Sequence, residues 1–367
     1  MTIVAIARLL SSGFRPFFFL GAAWAALGVP VWLTAYVHGY APRAELPAMF
    51  WHAHEMVYGF GFAAVAGFML TAIPNWTGRL PVRGSALAAL VLLWLAGRAA
   101  LFLPAALSWI DLAFGVVLMA VVARELIAGR NWRNLPMLVA LCLLVAGNVL
   151  FHLGIDPTCR LGIATLLMLI ALVGGRIVPS FTRNWLAKRN AARMPAPESA
   201  LDRVALLTTL VAFGAWASNL ATWPALVAGA ALGLRLARWR GLSTLREPLV
   251  LVLHAGYAWL AAGLILIGLE VQPQAALHAL TVGAIGTMTL AVMTRASLGH
   301  TGRTLTADRT TLVIYGLVTL AALLRVSSPF AREHAVVVTS FAGVAWSAAF
   351  ATFAIHYGRM LFGERNA

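Results

Sequence analysis

The sequence predicts an all-α, polytopic membrane protein with twelve transmembrane helices. Three observations predict it. First, the chain is 61% hydrophobic and 11% charged, with a mean hydropathy of +0.86. A soluble chain is about half apolar and about a quarter charged, so these 367 residues hold too little polar surface to cover a water-soluble core. Second, apolar runs of about 20 residues, the length that crosses a bilayer, recur with short connections between them. Third, basic residues collect in every second connection, as they do in cytoplasmic loops.

The apolar runs fall at about 16–37, 50–74, 84–103, 107–128, 135–153, 159–179, 203–220, 223–239, 248–269, 275–295, 310–327 and 334–357. The first is too long for a signal-peptide core and lacks a cleavage site, so it reads as a span. The seventh and eighth are parted only by Thr222-Trp223-Pro224. The one long connection, about 180–202, is basic and carries Pro195 and Pro197, and it is too short to be a domain. One integral membrane domain over 1–367 follows. With both termini placed in the cytoplasm, only Arg43, Arg160, Arg325 and Arg332 of the 27 Lys and Arg residues fall on the outer side, and Arg98 lies inside a span. The formal net charge of +15 is therefore a topological signature and does not point to nucleic acid. The two cysteines, Cys142 and Cys159, sit at different depths and make no disulfide framework.

Three cytoplasmic exits resemble one another. The second run ends in Pro74-Asn75-Trp76-Thr77-Gly78-Arg79, the sixth in Pro179-Ser180-Phe181-Thr182-Arg183, and the tenth in Ala296-Ser297-Leu298-Gly299-His300-Thr301-Gly302-Arg303. They lie four spans apart. Three four-helix repeats would explain this spacing; so would the general frequency of Thr, Gly and Arg at membrane exits.

Ionisable groups at membrane depth are costly and mark function. Of the nine histidines, His38, His52, His54, His152, His278 and His334 lie toward the outer face, and His254, His300 and His356 toward the cytoplasm. The densest cluster is Trp51-His52-Ala53-His54-Glu55-Met56. On a regular helix His52 and His54 point about 200° apart, so they cannot serve one metal from one face. Glu55 is placed to orient His52, and Met56 offers a soft sulfur. The plain alternative is an interfacial belt at a helix entry. His278 opens the tenth run at the same depth. Gly59 and Gly61 follow His54, as Gly283 and Gly286 follow His278. Small residues below a histidine let a flat macrocycle approach the backbone, and they equally mark tight helix packing. Two histidines at equal depth suggest an axial pair, His54 and His278, on haem iron. His152 ends the fifth run with Asn148 one turn below it. His254 and His300 are candidates for a second metal site near the cytoplasm. Arg98 is a partner either for Asp111 or for a haem propionate. The chain has no C-x-x-C-H, so a haem would be held non-covalently, as haem b. It has no phosphate loop, nucleophile elbow or H-E-x-x-H.

The residues that carry the clearest resemblance are Gly13-Phe14-Arg15-Pro16-Phe17-Phe18, His52-Ala53-His54-Glu55-Met56, Gly67 through Arg79, Gly174-Gly175-Arg176 through Asn184, His278 through Met288, and Met293 through Arg303. With these motifs the chain resembles the NnrS family of bacterial membrane haem–copper proteins over nearly its whole length. The resemblance implies bound haem and copper, expression alongside denitrification, and tolerance of nitric oxide at the cytoplasmic membrane. The resemblance names no ligands residue by residue; from the residues themselves, His54 and His278 are the candidates to hold iron, and His52, His152 or the His254/His300 pair the candidates to hold copper. A weaker architectural similarity is to the catalytic subunit of haem-copper oxidases and nitric oxide reductases. Those proteins place copper-binding histidines on spans 6 and 7, where this chain has none between His152 and His254.

Three functions fit these residues. The first is an inner-membrane protein that binds, senses or removes nitric oxide or a related small molecule and supports tolerance of nitrosative stress. The second is an accessory protein that associates with denitrification enzymes and assembles or protects their metal centres. The third is a secondary transporter. Whether the protein turns over a substrate is left open by the sequence.

Overall fold

The computed structural model describes residues 3–43 and 45–365. After a short helix, Ile3–Leu9, the chain runs through a helix at each of the twelve predicted positions. They are α1 Phe14–His38, α2 Ala48–Thr77, α3 Ser85–Ala100, α4 Ala105–Ala128, α5 Trp132–His152, α6 Arg160–Ala187, α7 Ala200–Ala217, α8 Trp223–Ala237, α9 Pro248–Gly268, α10 Pro273–His300, α11 Arg309–Phe330 and α12 Arg332–Leu361. Ten are long and apolar enough to cross a membrane. The other two are apolar but short: α3 has 16 residues and α8 has 15. At about 1.5 Å per residue they span about 24 Å, less than the hydrocarbon core of about 30 Å. The described residues contain no β-strand, only an isolated bridge between Arg43 and Leu46.

Helix ends are set by local chemistry. Gly78 closes α2 in the left-handed region, φ +69°, where its N–H reaches the Pro74 carbonyl. Ser199 and Asp202 form a reciprocal capping box at α7. The Asp156 carboxylate accepts the backbone N–H groups of Arg160 and Leu161 at the start of α6.

The helices fall into two compact units. The first comprises residues up to Thr165 together with Ala296–Thr304 and the chain from Phe350 onward. Within it α1 and α2 lie side by side, and α4 packs against α2, α3 and α5. Small residues permit the close approach: a Cβ on Gly67 would lie 2.6 Å from the Phe18 ring. The second unit comprises Leu166–Arg295 and Leu305–Ala349. There α8 is sandwiched between α7 and α9, and α9 also packs on α6 and α10.

Three of the helices are interrupted by π-helical turns: Glu55–Gly61 in α2, Ile170–Gly174 in α6 and Ala279–Gly286 in α10. Such segments are rare and gather at functional sites. They recur four helices apart, at the spacing of the three similar exits. The residues immediately before them are His54, Leu169 and His278.

A buried arginine braces the π segment of α6. In the second unit Arg235 donates from Nε to Asp202 at 2.9 Å, and from Nη1 to the Ala171 carbonyl at 3.1 Å and the Tyr257 hydroxyl at 2.9 Å. Asp202 is also held by Arg238 at 3.0 Å. Removing one partner of a buried ion pair costs about 3–5 kcal/mol, and here the remaining Arg238 contact places the cost at the low end. Arg235→Met is therefore expected to destabilise the protein by about 3 kcal/mol, read as a lowered Tm in detergent. Adding Asp202→Asn to that variant is expected to recover part of the loss; an unchanged Tm in the single variant would contradict this role.

Candidate metal centre

The first unit contains a second buried polar network, and it is built by four consecutive helices. α2 supplies His54 and Glu55 where its π segment begins, α3 supplies Arg98, α4 supplies Ser108 and Asp111, and α5 supplies Asn148 and His152. Ser108 and Asp111 are three residues apart, and Asn148 and His152 are four apart, so each pair shares a helix face. His54 and Glu55 have no accessible surface, and Arg98, Asp111 and Asn148 are each 3% exposed.

Arg98 ties the network together. Its Nη1 donates to both Glu55 oxygens at 2.9 and 2.8 Å, while Nη2 donates to Asp111 Oδ1. Two glycines make the room. A Cβ on Gly59 would lie 2.5 Å from Arg98 Nη1, and one on Gly97 would lie 2.6 Å from Asp111 Oδ1. The Trp94 indole N–H caps the Gly59 carbonyl at 3.0 Å. Charges at membrane depth survive only when paired in this way.

Glu55 and Asp111 in turn hold His54 from opposite sides. His54 Nδ1 lies 2.9 Å from Glu55 Oε1. Its Nε2 lies 3.1 Å from Asp111 Oδ2 and 3.0 Å from Asn148 Oδ1. The Asn148 amide donates to the same Asp111 oxygen at 2.6 Å. On the far side of that oxygen, 3.6 Å away, sits His152 Nε2, a buried nitrogen with no hydrogen-bond partner. His152 Nδ1 lies 3.3 Å from the Ser108 hydroxyl.

His54, Asp111 and His152 thus present three ligand atoms within 4.8 Å of one another. Around a tetrahedral ion with bonds of about 2.1 Å, ligand atoms stand about 3.4 Å apart, close to the 3.1 and 3.6 Å seen here. The surroundings match metal sites as well. A carboxylate on the distal nitrogen of a ligating histidine fixes its tautomer and orientation. Glu55 does this for His54, with Arg98 holding Glu55, and Ser108 stands in the equivalent place on His152. The donor set of two imidazoles and a carboxylate fits a transition-metal ion, with at least one coordination position left over. Phe151, Tyr58 and Trp109 form the walls: their rings lie 4.5 and 5.2 Å from the His54 ring and 5.2 Å from the His152 ring, respectively.

The other expected ligands sit elsewhere. His52 stacks on Trp32 at 4.2 Å. His300 packs on Phe14 at 5.3 Å. His254 belongs to the second unit, where Nε2 lies 2.8 Å from the Thr182 hydroxyl and Nδ1 faces Gly241, on which a Cβ would lie 2.7 Å away. His254 and His300 therefore fall in different units with different partners. His278 is also in the second unit, and its Nδ1 donates to the Gln274 carbonyl at 2.7 Å. That bond leaves Nε2 as the nitrogen with a lone pair, as an axial haem ligand requires. His54 does not suit a haem, because its ring is fully enclosed and leaves no room for a bulky macrocycle.

The expected glycine cradle is filled as well. Gly59 faces Arg98, Trp24 and Glu55, Gly283 faces the Trp259 ring and Gly286 faces the Trp346 ring. These glycines admit side chains of the protein. Arg98 is engaged by carboxylates of the chain, so the buried-pair reading with Asp111 is the one the structure shows. Asp111 and Ser108 were not expected as members of a metal site. The signal for Asp111 was its acidity inside a span; no sequence signal marked Ser108.

No curated protein matches the chain. The profile of the family described as NnrS protein matches residues 8–365, nearly all of it. The chain is a multi-pass membrane protein of the NnrS family.

Proposed function

We propose that this protein is a copper- and haem b-binding protein of the bacterial inner membrane, with both termini cytoplasmic, that binds, senses or removes nitric oxide. Membership of the NnrS family supports a part in the nitric oxide response. The observation that carries the metal reading is the buried triad of His54, Asp111 and His152. Copper suits two imidazoles, and a site with three protein donors keeps a position for a small ligand. Haem is assigned to His278, whose Nδ1 is tied to the Gln274 carbonyl. When bound, the two metals would supply positions for a diatomic gas and a route for single electrons.

The protein's own contribution is orientation and exclusion of water. Glu55 and Arg98 hold the His54 ring in one pose. Asn148 aligns the Asp111 oxygen that faces both histidines. Phe151 and Trp109 make the walls apolar, which suits a small neutral ligand over a hydrated ion. Tolerance of nitrosative stress during denitrification is the physiological role this chemistry supports.

Copper content per chain, measured on detergent-purified protein, is expected to fall at least tenfold in His152→Ala, while His52→Ala retains it. Equal copper in wild type and His152→Ala would refute the assignment. A second expectation concerns the seat of Arg98. Gly59→Ala places a methyl against the guanidinium and is expected to weaken copper binding by about 10–100-fold, the usual effect of disturbing a ligand's support. Gly214→Ala, where a Cβ meets nothing within 4 Å, is expected to bind as wild type. Equal affinities in these two glycine variants would show that Arg98 does not organise the site.

A further inference from the structure

We infer that the first unit binds a phosphate-bearing anion where its short N-terminal helix meets the end of α12, between Arg15 of α1 and Arg303 just beyond α10. The inference does not rest on the copper or haem readings. Two of the sequence motifs meet there, Gly13 through Phe18 and the run that ends in Arg303. Neither takes part in the metal centre.

Packing brings the motifs together. Gly13 lies against Leu70, where a Cβ would not fit, and the Phe14 N–H donates to the Thr71 hydroxyl at 3.0 Å. The Phe14 ring packs on the His300 ring at 5.3 Å. Arg15 follows, and it is 6% exposed. Its Nη1 donates to the carbonyls of Leu361 and Gly363 at 2.7 and 2.9 Å, at the C-terminal end of α12. Glu364, one residue further, pairs with Arg8.

The charge at this end is unbalanced. The other two buried arginines, Arg98 and Arg235, each hold a carboxylate. Arg15 pairs with none among the described residues. Its partners are neutral carbonyls, and a helix C-terminus supplies about half a negative charge. Arg8 and Arg303 stand close enough to repel Arg15, and Arg365 close enough to act on His300. Four arginines against the carboxylate of Glu364 leave three positive charges. A buried charge at a membrane calls for a partner.

The donors suit phosphate. Both protein bonds of Arg15 leave from Nη1, so the Nε–Nη2 edge remains, and that edge can grip two oxygens of one phosphate. The Arg303 side chain makes no bond shorter than 3.5 Å to a described residue; at that distance it reaches the Thr301 carbonyl. Ser297 stands three residues before His300, on the same helix face. Its hydroxyl is fully buried and finds no hydrogen-bond partner among the described residues. At a membrane surface the phosphate group comes from an anionic phospholipid headgroup or from free phosphate.

The test uses the full-length protein in a zwitterionic detergent, with phosphatidylglycerol and inorganic phosphate as the two probes. One phosphatidylglycerol retained per chain in native mass spectrometry, with no retention of phosphatidylcholine, assigns the site to a lipid. A saturable rise in Tm with millimolar phosphate, not reproduced by chloride and without retained lipid, assigns it to the free anion. In either case Arg303→Gln is expected to weaken binding of that probe at least tenfold. Arg15→Lys keeps the charge but loses the fork, and is expected to weaken it by a smaller factor. Arg133→Gln removes an exposed charge at the start of α5 and is expected to bind as wild type.

Binding of neither probe would overturn the inference. So would an equal loss in Arg133→Gln and Arg303→Gln, the mark of nonspecific attraction to a basic surface. Unchanged binding in a folded Arg303→Gln would do the same, and that variant decides the matter even where Arg15→Lys fails to fold.

Discussion

The centre depends on one arginine held between two carboxylates at membrane depth. Arg98 bonds both oxygens of Glu55 and one of Asp111, and it is 3% exposed. None of these charges could remain in an apolar bundle alone. Together they position both sides of the His54 ring, and through Asp111 they set the spacing to His152. The glycines at 59 and 97 follow from the same constraint, because any side chain there would occupy the space of the guanidinium or the carboxylate. The polar network costs stability that an apolar core would not, which is a reason to read it as functional.

The second unit repeats the device with different parts. Arg235 pairs with Asp202, reaches the π segment of α6 through the Ala171 carbonyl, and lies where a Cβ on Gly175 would be. Arg98 does the same beside the π segment of α2, through Glu55 and Gly59. A π turn leaves carbonyls without their usual partners and widens the helix, so a long guanidinium beside a glycine is a natural brace. The position before each segment then decides its chemistry. It is His54 in α2, Leu169 in α6 and His278 in α10. Only two of the three carry a ligand-type side chain.

The helices were legible because hydropathy is a property of composition, and every apolar run found in the sequence is a helix. The two short ones differ in how legible they were: α3 stops after Ala100 although Leu101-Phe102-Leu103 continue the apolar run, whereas α8 ends at Ala237, just before Arg238 and Arg240. The site was legible in part. His54, His152 and Arg98 stood out as ionisable groups in spans. Their grouping did not, because it depends on which faces of four helices meet. Regular helical geometry assigned Glu55 to His52, but the π segment starts at Glu55 and turns that side chain onto His54 and Arg98. The same reasoning left Asn148 beside His152 alone, although it also bonds His54 and Asp111. The pairing of His54 with His278 on a haem assumed that equal depth implies a shared ligand. Close packing instead gave His54 three polar partners of its own, Glu55, Asp111 and Asn148.

X-ray absorption at the copper edge of the purified, copper-loaded protein tests the account most directly. The account predicts a low-coordinate site with two imidazole nitrogens and one oxygen at about 2.0–2.1 Å. Sulfur scattering at about 2.3 Å, or a spectrum unchanged when His152 is replaced by alanine, would contradict it.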